Sequence, residues 1–152
     1  MLLRNLAVSI VLSLAATAPA AAAPASSATG RWILNMEQTT PGTTPIRSAE
    51  ATLADDGVSL TYDTTSVGLD GKASRQTGAD VFGKTVLGPN GKDQRRVTRV
   101  DANTIKRSVR YADGGSLEDV CVFTPKVMTC KGIRTRGGVP EASTTVFDRA
   151  PD

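Results

Sequence analysis

Cys121 and Cys130 are the two cysteines of this 152-residue chain, and their type and spacing point to a disulfide. They bracket Val-Phe-Thr-Pro-Lys-Val-Met-Thr, with a turn centred on Pro125-Lys126. Folding Thr124 back onto Val127 as an antiparallel pair sets Phe123 opposite Met128, Val122 opposite Thr129 and Cys121 opposite Cys130. Directly opposed strand residues supply the Cα separation of about 4.4–6.8 Å that a disulfide needs. Closing so short a loop is expected to stabilise the fold by roughly 2.5–3 kcal/mol. The alternative is a pair of buried free thiols. A metal set is not expected, because the chain has no histidine and no third cysteine.

The remaining chemistry is sparse. Without histidine there is no Ser-His-Asp or Cys-His arrangement. Asp55, Asp56, Asp70, Asp101 and Asp113 fall in turn sequences, where Asp is favoured for backbone reasons. No catalytic residue, cofactor or metal is therefore assigned, and an enzyme is not expected. Charge is uneven, with the chain from Arg95 onward distinctly basic. Arg95, Arg96, Arg99, Lys106, Arg107, Arg110, Lys131, Arg134 and Arg136 are candidates for a basic side that meets an anionic surface. Solvated strand faces and edge protection are the favoured account of the same residues. Nucleic acid is not an expected partner, since no aromatic stripe interleaves with the basic residues.

The elements that position these residues follow from the pattern of the chain. Residues 1–22 have a short basic start, an apolar run from Leu6 and the small-residue site Ala20-Ala21-Ala22, so a cleaved signal peptide is expected. That run is too short to span a bilayer of about 30 Å, and no transmembrane segment is expected in the mature chain. The product is placed in the periplasm or outside the cell, a compartment that suits a disulfide. Residues 23–29 form a small-residue lead-in, and 30–150 a single domain. Within it, short stretches such as Val58, Leu60 and Tyr62 alternate with polar residues at the period of a strand. Asp55-Asp56-Gly57, Gly68 to Lys72, Asp101-Ala102-Asn103 and Asp113-Gly114-Gly115 mark turns, and Glu37 to Pro45 and Gly83 to Lys92 read as excursions. Beyond the leader no stretch has helical period. The pattern predicts an all-β, antiparallel up-and-down meander of about 8–9 strands, closed into a barrel to remove its edges. A two-sheet sandwich is the alternative. Large apolar residues are few, so the barrel is expected to be slim, largely filled and apolar inside.

Gly30-Arg31-Trp32-Ile33-Leu34-Asn35, followed in order by Asp56-Gly57-Val58, Asp70-Gly71-Lys72, Asn90-Gly91-Lys92 and Asp101-Ala102-Asn103-Thr104, resembles a set of uncharacterised secreted bacterial domains described as lipocalin-like. More distantly, Gly-x-Trp on a first strand resembles the lipocalin and calycin barrels. That resemblance implies a Trp32 that closes one end of a barrel beside Gly30, under a late arginine, Arg149 or Arg134. The chain departs from the lipocalin pattern in being shorter and in lacking the C-terminal helix of those proteins, so the resemblance does not imply a ligand chamber.

Three functions follow as expectations. One is a carrier of a small apolar molecule, walled by Val58, Leu60, Tyr62, Ile105, Val109, Tyr111, Phe123 and Met128. Another is a surface-binding module or inhibitor of an envelope protein, resembling small periplasmic protease inhibitors, with residues 23–29 and 37–45 as working parts. The third, an enzyme with a carboxylate site, has no constellation behind it.

Overall fold

The computed structural model describes residues 27–40 and 46–151. The expected leader (1–22), the lead-in up to residue 26 and residues 41–45 of the expected loop lie outside the described residues. Ten strands follow one another: β1 (Gly30–Leu34), β2 (Ile46–Asp55), β3 (Ser59–Gly68), β4 (Ala73–Val81), β5 (Thr85–Leu87), β6 (Gln94–Asp101), β7 (Thr104–Arg110), β8 (Ser116–Phe123), β9 (Val127–Arg136) and β10 (Val139–Arg149). They form one antiparallel sheet in the order β4-β3-β2-β1-β10-β9-β8-β7-β6-β5. The first strand thus pairs with the last, and the sheet curls into a nearly closed barrel. Its only consecutive strands that do not pair are β4 and β5. Among the described residues there is no helix.

Strand β5, only three residues long, lies inside what reads in the sequence as the excursion from Gly83 to Lys92. Elsewhere the turns sit where Asp, Asn and Gly punctuate the chain. Side chains of Asp56, Asp70, Asn90, Asp101 and Asp113 accept hydrogen bonds from main-chain amides two or three residues on. Such caps hold the backbone in the turn and satisfy amides that no ladder reaches. The hairpin of β8 and β9 has the register expected from its cysteines, with Cys121 opposite Cys130 and Phe123 opposite Met128. A disulfide joins Cys121 to Cys130.

Inward and outward residues alternate along each strand. Turns following β2, β4, β6 and β8 gather at one pole; those following β3, β5, β7 and β9 gather at the other. Trp32 fills the first pole and is fully buried. Its ring meets Phe123 edge-on at 5.7 Å, and its indole N–H donates to the Ala28 carbonyl at 2.9 Å. Ala51, Leu60, Val97, Ile105 and Met128 complete the buried cluster, with Leu53, Phe82, Phe147 and the disulfide packed against it. Burying such side chains contributes about 1.5–3 kcal/mol each, so this pole carries most of the apolar stabilisation.

Candidate ligand-binding interior

Above the packed pole the inward-facing rows become polar. Register places Val97, Arg107, Asp119, Gly132 and Ser143 side by side on one row across β6 to β10. The next row outward holds Arg95, Val109, Leu117, Arg134 and Glu141. Four arginines of the basic stretch, Arg95, Arg99, Arg107 and Arg134, therefore point into the barrel. Arg96, Lys106, Arg110 and Lys131 occupy the alternate positions and point outward, whereas Arg136 shares the parity of Arg134 and is exposed at the end of β9. The expected basic side is split between the two faces, and the interior is not uniformly apolar.

Each inward arginine has protein partners. Arg107 donates from Nε to Asp119 Oδ1 at 3.2 Å and from Nη2 to Asp119 Oδ2. Burial opposes the Arg107 charge, but the Asp119 carboxylate, aided by Tyr111 and Asp80, outweighs it and pushes its pKa further up. Arg95 donates to Asp80 and to the Tyr62 hydroxyl, each at 2.6 Å. Burial pushes the Asp80 carboxyl up from its ordinary value, against the pull of Arg95 and Arg107. Arg134 donates to the Tyr111 hydroxyl at 3.0 Å. Arg99 pairs with Asp55, whose side chain is wholly buried. Asp55 is thus more than the turn residue expected from its place before Asp56-Gly57, although it does accept the Gly57 amide.

The anticipated lining residues divide into three groups. Leu60, Ile105, Phe123 and Met128 are buried in the packed cluster, where they fill the pole. Val109 is buried one row above the arginine–aspartate row, and Tyr62 and Tyr111 are half-buried with their hydroxyls given to arginines. Val58 is a correction: it is 67% exposed and lies in the turn before β3. Its amide is drawn to Asp56 Oδ1, which keeps the side chain out of the strand's alternation.

At the packed pole Arg149 stands over the Trp32 ring, 4.3 Å from its centroid. Its guanidinium also donates to the carbonyls of Ser27 and Thr29, at 2.8 Å each. Gly30 has φ +146°, and a side chain there would overlap that guanidinium. Gly78 serves Tyr62 in the same way, since a Cβ on Gly78 would lie 2.5 Å from the hydroxyl that reaches Arg95.

The far half of the barrel is not filled. On β4 the inward positions Ser74, Gln76 and Gly78 are exposed, as is Glu141 on β10. Arg107 keeps 41% of its side chain accessible, although its strand neighbours Ile105 and Val109 are buried. On the outer face a groove of 760 Å³ crosses β7 to β10, lined by Lys106, Val120, Lys131, Ile133 and Thr144. Thr39 and Thr40, from the expected binding loop, are bonded along β10 beside it.

Arg95, Arg107, Arg134, Asp80 and Asp119 are interior residues that composition directs to the surface. Strand parity is the signal that finds them: Arg107 lies between Ile105 and Val109 at the spacing of one face.

No protein-family model matches the sequence, and no curated protein matches it. Solved structures do match the fold. The fluorescent protein UnaG superimposes with a TM-score of 0.58 at 12% identity, covering 80% of this chain and 96% of that one. A secretory abundant heat soluble protein from Ramazzottius varieornatus gives 0.60 at 10% identity, covering 82% and 96%. The fatty-acid-binding protein isolated from Manduca sexta gives 0.57 at 12% identity, covering 80% and 98%. The chain shares the barrel fold of these proteins. At such identities the likeness is one of fold alone.

Proposed function

We propose that the protein is an exported carrier that takes a small, largely apolar molecule into the open half of its barrel. One observation carries this reading: beyond the row of Val97, Arg107 and Asp119 the interior is walled but not filled. Binding sites for small molecules are concave, mostly apolar and set with a few polar groups. Val109, Leu117 and the rings of Tyr62 and Tyr111 supply the apolar walls; Arg107 supplies a polar group with an accessible side. A ligand with an apolar body and a polar or anionic end fits that lining. The fold shared with a fatty-acid-binding protein supports the same reading. Export rests on the leader sequence and the disulfide.

Titration of the folded protein with cis-parinaric acid tests it. Saturable uptake with one site is expected, displaced by long-chain fatty acids. Arg107→Met is expected to weaken the acid more than the matching long-chain alcohol. Absence of saturable uptake by folded protein would exclude carriage.

A further inference from the structure

The sheet's two free margins are β4 and β5, neighbours in sequence that do not pair. Among the described residues no ladder joins β4 to β5 or β6. The main-chain link across the seam is the Gly83 N–H, which donates to Val97 O at 2.7 Å near the packed pole. Side chains do the rest. Arg95 of β6 reaches Asp80 of β4 and the Tyr62 hydroxyl of β3, and its guanidinium lies 4.6 Å over the Tyr62 ring. Four residues along the same face, Arg99 reaches Asp55 of β2 and lies 4.6 Å over the Phe82 ring. One strand thus presents the same device twice: a guanidinium that spans the seam to a carboxylate and an aromatic face.

We propose that this seam is a latch: Arg95 and Arg99 hold the barrel shut, and release of Arg95 from Asp80 opens the interior sideways between β4 and β6. This deepens the carrier reading, and its bearing on ligand exchange rests on that reading. A buried ion pair closes a gap less firmly than a ladder, because desolvation offsets much of its attraction. Here Arg95 and Asp80 are almost wholly withdrawn from water, yet Arg95 Nε and Asp55 Oδ2 are buried without a partner. From Ala73 to Ala79, β4 is exposed on both faces, so little besides β3 and the latch holds it. Low-stability segments of this kind open locally before the rest of a fold.

Acid is the natural release. The charged and titratable groups around Asp80 are Arg95 from β6, Arg107 from β7 and Tyr62 from β3, with Asp119 of β8 beyond Arg107. Asp80 has its pKa raised by burial, whereas Glu50, Asp56 and Asp63 are held below their ordinary values by their hydrogen bonds. A carboxyl whose pKa is higher in the fold than in the unfolded chain binds its proton first in the native state. Its contribution favours the fold below its ordinary pKa and is lost as pH rises through the raised value. Protonating Asp80 therefore frees Arg95 without driving global unfolding.

Hydrogen exchange of the full protein, followed amide by amide, tests the latch. In the wild type, protection of Gly83 and the β4 amides should fall roughly tenfold between about pH 7 and about pH 4, after correction for intrinsic exchange. The Phe123 and Arg149 amides should stay protected. Asp80→Asn should show the loosened seam throughout, and Arg95→Lys should be looser than wild type at neutral pH. A wild-type seam that stays protected across the series, or protection lost equally everywhere, overturns the proposal. The pH series needs no substitution, so a variant that fails to fold leaves the test intact. Dissociation of anilinonaphthalene sulfonate separates the two readings. No dye uptake counts against carriage and leaves the exchange result standing; dye that leaves Asp80→Asn no faster than wild type counts against sideways opening.

Discussion

At the pole where Trp32 lies, inward side chains meet one another; at the pole ringed by the Gly68–Lys72 and Gly137–Gly138 turns they meet water. Both halves share the same strands and the same alternation. What differs is the size of the residues at inward positions. Trp32, Phe123, Met128, Ile105 and Leu60 span the first pole, whereas Ser74, Gln76, Gly78 and Ser143 leave the second half open. Between them lies the row of Val97, Arg107 and Asp119, apolar on its packed side and charged toward the opening. The lesson is one of division: stability is concentrated at one end, which leaves the other end free to be hollow and polar.

The largest expected effect comes from Trp32→Ala. Removing a fully buried indole that touches Phe123 and Arg149 should destabilise the protein by about 3–5 kcal/mol in urea unfolding. Opening the disulfide by replacing Cys121 and Cys130 with serine should cost roughly 2.5–3 kcal/mol, seen as a lower unfolding midpoint. Gln76→Ala, on the inner face of β4 but exposed, should change stability by no more than about 0.5 kcal/mol. If Gln76→Ala proved as damaging as Trp32→Ala, the open half would be load-carrying core and the contrast between poles would fail. A Gln76→Ala variant that folds normally yet binds cis-parinaric acid differently would sharpen it, by placing ligand against β4.

Much of the barrel could be anticipated because its signals are local. The register of the β8–β9 hairpin follows from two cysteines and one Pro-Lys turn, which leave a single pairing that opposes all the matching residues. Asp-Gly and Asn-Gly turns announce themselves through side chains that cap their own backbone. Three features stayed hidden for physical reasons. β5 is too short to show a period, and it lies between glycine-rich turns. Val58 continues the alternation of Leu60 and Tyr62 on paper, but the Asp56 cap holds it outside the strand. The inward arginines are the instructive case. Hydropathy sends a guanidinium to water, and only a polar partner brought from another strand makes its burial tolerable. Asp80 and Arg95, or Asp55 and Arg99, become partners only once the sheet has curled.

The lead-in ends where Arg149 grips the carbonyls of Ser27 and Thr29, and the Ala150 amide donates to the Arg31 carbonyl beside it. Both ends of the domain thus depart from the same pole, behind the tryptophan plug. A fusion partner or solid support joined directly before Ser27 or after Ala150 would leave the opposite opening unobstructed. On the proposed carrier function, protein immobilised at these positions should take up a ligand as readily as free protein does.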